Sequence, residues 1–515
     1  MTGDRESIAI STRRFRVPIW LTPAVALAVV ATGSALLAGS ATGEPASAGP
    51  CAGGDYDFNG DGVRDTVIAD PEATVNGQPG AGQVTVVYGD GQGVVQLHQD
   101  LTWVPGMAEA GDAFGFSLAS YDRNQDGCAD LVIGAPFEGI ADADEAGSVW
   151  TVFGSHEGIG PDTGAESQNQ SNADVPGAAE PGDLYGYALA AGETASHDPF
   201  LVVGVPGEDI GSVTDAGLIH YEGSGINANV HQDSAGVPGV AEPHDRLGAS
   251  LSATAERLAV GSPGEAIGDK EFAGGVQIFD HAPTSGAPTP LGFLNQSAGP
   301  AAAEAGDRFG TAVALVPHPD GAGASYLAVG APGEDVGSVG DENYISDGGS
   351  VAVFDVAADG TAVPMGPAVL QERSPGPDRS DAGDFLGQTV AATVHNGVLH
   401  LAIGVPGEEA VEDTTDHGGV LLATVTGTGV SGTRWFAPGH GLPSTAGDRM
   451  YTGTAVAAAP GHFLVGAAYE SPGTAPGAVY TIPWDAPDGG APSARFAPGE
   501  GGIPAGGTAF GSAVR

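Results

Sequence analysis

Gly111-Asp112-Ala113-Phe114-Gly115-Phe116-Ser117-Leu118 opens a stretch that continues Asp122-Arg123-Asn124-Gln125-Asp126-Gly127-Cys128-Ala129-Asp130, then Leu131-Val132-Ile133-Gly134-Ala135-Pro136, and closes on Ser148-Val149-Trp150-Thr151-Val152-Phe153-Gly154. Its three short apolar runs, 114–119, 131–135 and 148–153, are each bounded by Gly, Asp or Pro. Runs of this length, rich in Val, Ile and Phe, predict strands. Between the first two lies an acidic loop with oxygen-bearing side chains at alternating positions. One such unit cannot bury both faces of its small sheet, so it needs neighbours.

The chain supplies them. Gly-Asp-x-Φ-Gly (Φ, a large apolar residue) recurs at 111–115, 182–186, 306–310 and 383–387, with a variant at 244–248. A looser copy, Gly447-Asp448-Arg449-Met450, carries two extra residues before Gly453. An apolar run ending in Gly-x-Pro follows each time, at 131–136, 201–206, 258–263, 327–332 and 401–406, with a degenerate copy at 464–468. A third apolar run comes next, then a segment often carrying Gln (Gln99, Gln170, Gln232, Gln296, Gln371), then a Pro-Gly-rich leader. Successive glycines of the first motif lie 58 to 77 residues apart. That is room for four strands and their loops, the blade of a β-propeller.

The two ends decide closure. The repeats begin with a second half, Asp65-Thr66-Val67-Ile68-Ala69-Asp70-Pro71, that has no first half before it. They finish on a first half, Gly507-Thr508-Ala509-Phe510-Gly511-Ser512-Ala513-Val514, with no second half after it. Six complete units plus one split unit predict an all-β, seven-bladed propeller of four-stranded blades, closed by pairing of the N- and C-terminal segments in one blade. Closure of this kind leaves no free end of the array to template aggregation.

Composition agrees. Gly at 86 and Pro at 38, with 41% hydrophobic residues in 515, suits many short strands joined by tight turns. No helical period persists past residue 50. Before it, Arg13, Arg14 and Arg16 precede an apolar stretch over 19–37, and Ala46-Ser47-Ala48 offers a small-residue cleavage site. We read 1–48 as a signal peptide and 49–515 as the propeller, with a retained membrane anchor as the alternative. Without 1–48 the chain keeps 12 basic and 61 acidic side chains, a net charge of −49. A surface so acidic repels nucleic acid and anionic headgroups and attracts cations.

Two loops share one pattern: Asp57, Asn59, Asp61, Val63 and Asp65 in the first, Asp122, Asn124, Asp126, Cys128 and Asp130 in the second. Hard cations such as Ca²⁺ take six to eight oxygens, which side chains at positions 1, 3, 5 and 9 with a carbonyl at position 7 begin to supply. Gly62 and Gly127 at position 6 permit the sharp turn. An EF-hand needs Glu at position 12, but Ile68 and Ile133 stand there. The reading is therefore a nine-residue calcium loop in a β-hairpin; a pair of Asx-rich turns without metal is the alternative. A further acidic set follows Gly-x-Pro: Glu208 and Asp209, Glu265, Glu334 and Asp335, Glu408 and Glu409, with Asp215, Asp347 and Asp416 later in the same loops. These loops are expected on one face, as cation or ligand sites or simply as turns.

The cysteines are Cys51 and Cys128. In an exported chain an even pair suggests one disulfide, with two free thiols as the alternative. If Cys128 offers its carbonyl to the metal, its sulfur is left to bridge Cys51 and staple the N-terminal segment near the closure.

Phe114-Gly115, Asp122 to Asp130 and Gly134-Ala135-Pro136, with Phe309-Gly310 and Gly330-Ala331-Pro332, resemble the FG-GAP repeats of the integrin α-chain propeller. The resemblance implies structural Ca²⁺ in the two loops and ligand binding on the opposite face. No I-domain, leg domain or C-terminal membrane helix accompanies it. FG-GAP repeats also resemble part of glycosylphosphatidylinositol-specific phospholipase D, whose His-rich zinc domain has no counterpart here. Gly-x-Ser-x-Gly and His-Glu-x-x-His do not occur, and His98, His231 and His244 sit in repeat loops. The expectation is therefore a non-enzymatic, secreted or cell-surface, calcium-binding adhesion module. It would be a monomer outside the membrane with a protein or carbohydrate ligand. The alternatives are a hydrolase with its site at the propeller channel and a structural envelope component.

Overall fold

The run Asp130–Ala135 is apolar almost throughout rather than alternating, and every residue of it is buried. Such a strand must be covered on both faces. The computed structural model does this by standing sheets side by side. It describes Cys51 and residues 54–515 except 92, 224, 285, 300, 322, 339–343, 369–380, 410–414, 428 and 471–476. The expected signal peptide, 1–48, lies outside the described residues.

Blade 2 shows the pattern: antiparallel strands Ser117–Tyr121, Asp130–Ala135, Ser148–Val152 and Ala165–Gln168, paired in chain order. Blades 3 to 7 repeat it over 188–230, 250–294, 312–364, 390–442 and 455–496. Blade 1 takes Thr66–Asp70, Gln83–Val87 and Val94–Leu97 from one end of the chain and Ala513–Val514 from the other. Ile68 faces Val514 and Ala69 faces Ala513 in that closing pair, and Val67 and Arg515 exchange backbone hydrogen bonds at 2.9 Å. The innermost strands of the seven blades neighbour one another in an unbroken circle. The seven-bladed closure expected from the complementary ends is the one observed. Helix is confined, among the described residues, to one 3₁₀ turn, Gln296–Ala298.

The core lies between blades. Val67, Val84 and Leu97 of blade 1 pack with Phe114, Leu131 and Trp150 of blade 2. At the closure Ile68 and Val514 pack with Leu464 and Val479 of blade 7. No blade buries its own faces, so stability is shared among junctions.

Both halves of the repeat motif meet at each junction. The amide of the last glycine in Gly-Asp-x-Φ-Gly donates to the carbonyl of the Gly in Gly-x-Pro of its own blade: Gly115 to Gly134, Gly248 to Gly261 and Gly310 to Gly330, each at 3.0 Å. Its own carbonyl lies against the Gly-x-Pro glycine of the preceding blade. A Cβ at Gly204 would run into the Gly248 oxygen, and one at Gly330 into the Gly387 oxygen. The Φ residue forms a parallel bridge to the preceding blade, as in Gly147–Tyr185 and Gly274–Phe309.

Three expectations are corrected. The strand expected over 114–119 is Ser117–Tyr121, because Ala113 (φ 58°) and Gly115 (φ 98°) are left-handed and interrupt an extended chain. In blade 7 the motif is Met450-Tyr451-Thr452-Gly453. Thr452 makes the bridge to Gly418 that Φ makes elsewhere, and Met450 stands in the place of Asp. Blade 6 has a fifth strand, Gly441–Leu442, parallel to the end of Gly429–Pro438.

The junction contact predicts that Gly204→Ala lowers stability in urea by about 1–3 kcal/mol through overpacking. Gly192→Ala, where a Cβ meets only the Phe200 ring at 3.4 Å, is expected to change it by less than about 1 kcal/mol. Equal losses in the two variants would refute the assignment.

Candidate metal loops and their disulfide

The second loop is the hairpin between Ser117–Tyr121 and Asp130–Ala135; the first leads into Thr66–Asp70, whose inner partner Ala513–Val514 comes from the other end of the chain, and both lie at the end opposite the Gly-x-Pro loops. Both fold by the same hydrogen bonds, which the alternating Asx residues dictate. Asp57 Oδ1 accepts from the Asp61 amide at 3.1 Å and Oδ2 from the Gly62 amide at 2.8 Å. Asp122 does the same with Asp126 and Gly127, at 3.1 and 2.8 Å. Asp61 accepts from the Val63 amide at 2.7 Å, and Asp126 from the Cys128 amide at 2.9 Å. Asn59 and Asn124 also turn their Oδ1 onto position 5. Asp65 and Asp130 are fully buried. Each holds two amides, Phe58 and Gly89 for the first, Arg123 and Gly154 for the second, all at 2.9 Å. Gly89 and Gly154 were not singled out from the sequence; their place at the end of the third apolar run was the available signal.

The electrostatics fit a cation. Burial, reinforced by the neighbouring loop carboxylates, raises the Asp65 carboxyl to about 6 and Asp130 to about 7. Each loop contains an arginine, and each turns away from the loop acids. Arg64 pairs with Asp55 at 2.7 Å and stacks on Tyr56, while Arg123 pairs with Glu166. The loop carboxylates are thus held by backbone amides, and among the described residues no protein cation pairs with them. An all-oxygen donor set of this charge suits Ca²⁺.

The two loops touch. The Ala129 amide donates to the Asp57 carbonyl at 3.1 Å, and the Ser155 amide to the Phe58 carbonyl at 3.0 Å. Cys51 is wedged between them and bonded to Cys128, with Cα atoms 5.0 Å apart. A Cβ on Gly60 of the first loop would strike the Cys51 side chain, and one on Gly127 of the second would strike the Cys51 carbonyl. The structure thus contains the expected disulfide, and it ties blade 1 to blade 2 beside the closure. Among the described residues, the only three metal-ligating His, Cys, Asp or Glu side chains with ligand atoms within 4.8 Å of one another are Cys51, Asp126 and Cys128, two of which are already bonded. No His-carboxylate cluster of that kind occurs among them at the channel.

On the other face, the acids after Gly-x-Pro have partners that the sequence did not reveal. Gln99 of blade 1 donates to Glu138 of blade 2 at 2.7 Å, and Gln170 of blade 2 to Glu208 of blade 3 at 2.6 Å. Gln232 and Gln296 reach Glu265 and Glu334 in the same way. The recurring Gln and the recurring Glu are two ends of one inter-blade contact. Gln371 lies outside the described residues. The later acids sit in turns: the Asp215 amide donates to Asp209 at 2.9 Å, and the Asp347 amide to Asp335 at 3.0 Å.

Residues 114–152 match the FG-GAP repeat. Over 105 residues, 20% of this chain, the protein is 36% identical to mouse phosphatidylinositol-glycan-specific phospholipase D, covering 12% of that enzyme. It is 29% identical to Drosophila melanogaster integrin alpha-PS5 over 160 residues, 30% of this chain and 14% of the integrin. The chain spans less than a fifth of the length of these relatives. Among solved structures, Kuenenia stuttgartiensis hydrazine synthase overlaps 82% of this chain and 95% of its own, with a TM-score of 0.40 and 13% identity. Repeat and architecture together make this an integrin-like FG-GAP propeller.

Breaking the staple by Cys51→Ser is expected to cost about 2–4 kcal/mol in reversible unfolding, since the bond closes a long loop in the unfolded chain. An unchanged midpoint under oxidising conditions would show that the bond does not constrain the ring.

Proposed function

We propose that this chain is an exported, Ca²⁺-stabilised binding or adhesion module, taking a protein or glycan ligand on the face opposite the metal loops. The observation that carries the reading is the pair of loops: one hydrogen-bond pattern in two copies, at the same place in adjacent blades, each with its first Asp accepting from two loop amides and its arginine paired with an acid outside the loop. Asp57, Asn59, Asp61, the Val63 carbonyl and Asp65 would hold one ion. Asp122, Asn124, Asp126, the Cys128 carbonyl and Asp130 would hold the other. Bound calcium would supply the positive charge these carboxylates lack. Because the loops are joined by the Ala129–Asp57 hydrogen bond and the disulfide, ordering them stiffens the closing blade and its neighbour.

Several observations support placement outside the cell: the disulfide, which persists in oxidising compartments, the acidic surface, and the likeness to an integrin. The similarity to a phospholipase D falls on propeller sequence within a small part of that enzyme. It supports the fold and leaves the adhesion reading in place.

Calcium titration calorimetry on the whole chain is expected to give two ions. Calcium at about a hundred times its dissociation constant should stabilise the fold against EDTA by about 2.7 kcal/mol per site. Asp57→Asn with Asp61→Asn should remove one ion and leave the other. No heat and no shift would reduce both loops to turns.

A further inference from the structure

Behind the Gly-x-Pro face, four consecutive blade junctions repeat one buried arrangement. The Asp of Gly-Asp-x-Φ-Gly (Asp112, Asp183, Asp245, Asp307) is almost wholly buried and caps an amide three residues before it, from Glu109, Glu180, Glu242 and Glu304, at 2.5–2.6 Å. Beside it stands the Glu after Gly-x-Pro (Glu138, Glu208, Glu265, Glu334). The Gln amide of the preceding blade reaches that Glu from the other side. The glycine before that Glu donates its amide to the carbonyl of the Asp, Gly207 to Asp183, Gly264 to Asp245 and Gly333 to Asp307, each at 3.1 Å, which sets the two acids side by side. Two carboxylates cannot bond to each other unless one carries a proton, since an ionised carboxylate only accepts.

Around three of the four Asp residues the neighbouring charges are all acidic. Acting on Asp112 are Glu109 and Glu138; on Asp183, Glu180, Glu208 and Asp209; on Asp307, Glu304, Glu334 and Asp335. Asp245 has Glu242 and, as its one cationic neighbour when protonated, His244; Glu265 has Asp245 and Glu242. Among the described residues none of these eight acids forms an ion pair with Lys, Arg or His. Blade 7 provides an internal comparison. There Met450 replaces the Asp, and the equivalent Glu470 instead meets Arg495 at 3.7 Å and the Tyr480 hydroxyl at 2.6 Å. Where the Asp is missing, the Glu takes a cationic partner.

We propose that the Asp–Glu pair at each of these four junctions holds one shared proton, so that the ring is tightened by mild acidity and loosened as pH rises. The direction follows from burial, which raises Asp112 and Asp245 to about 6, Asp183, Asp307, Glu265 and Glu334 to about 7, and Glu138 to about 8. In the unfolded chain the same groups titrate near 4. Folding therefore retains protons between about pH 4 and about pH 8. The stabilisation is fully present below the unfolded value and is lost as pH rises through the folded ones.

The test is unfolding of the whole chain, with saturating Ca²⁺, from about pH 5 to about pH 8, alongside infrared measurement of protonated carboxyl groups. Each occupied pair should raise the unfolding constant up to about tenfold per pH unit. Asp183→Asn should remove one pair's share of that slope and one protonated carboxyl from the spectrum. If it does not fold, Asp183→Met, which copies blade 7, serves instead. A pH-independent unfolding constant without a protonated-carboxyl band overturns the proposal. So does calcium binding beyond two ions at about pH 8 that Asp183→Asn reduces, because a cation would then occupy the junction.

Discussion

Everything in this ring depends on how closely two glycines approach. The last glycine of Gly-Asp-x-Φ-Gly bonds through its amide to the Gly-x-Pro glycine of its own blade, while its carbonyl rests on the Gly-x-Pro glycine of the blade before. No side chain fits between them. That contact fixes the separation of neighbouring innermost strands, and with it the gap into which Phe114, Tyr185, Leu247 and Phe309 insert. The inter-blade cores follow from it, because each blade is apolar on faces that only its neighbours can cover. Position x in the motif is also fixed: Ala113, Leu184, Arg246 and Arg308 all adopt left-handed backbone to turn the chain from one blade onto the next.

Blade number and closure were legible in the sequence because both are carried by local repeats and by what each end lacks. The shared turn of the two Asx-rich loops was legible for the same reason, since their residues lie within nine positions and their fold is set by hydrogen bonds of short range. What could not be read are contacts that join different repeats. Gln99 and Glu138 are 39 residues apart, and Gln232 and Glu265 are 33 apart. Each appears in the sequence as a separate, unexplained recurrence. The register of blade 7 was misplaced because Gly447-Asp448 imitates the motif, whereas the structure selects Met450, a buried thioether, for the site of the carboxylate. The beginning of the innermost strand of blade 2 was set too early because an apolar residue in left-handed surroundings looks the same in a sequence as one in a strand.

The acidity of the chain divides into populations with different physics. Some carboxylates are solvated and keep the surface highly charged. Those of the two loops are bound by the amides of their own turns. Those behind the Gly-x-Pro face are withdrawn from water and bound to backbone and glutamine amides. Net charge alone does not separate these groups; burial and hydrogen bonding do.

The staple also decides how the ring would bear mechanical load. The closing strand is only two residues long and pairs antiparallel with Thr66–Asp70, so a pull on Arg515 meets a few hydrogen bonds. A pull on Cys51 takes another route. It passes through the covalent bond to Cys128 into blade 2, whose first two strands share five paired positions and whose faces are packed on both sides. The ring is therefore mechanically polar: tension from the Cys51 side bypasses the seam, and tension from the Arg515 side falls directly on it.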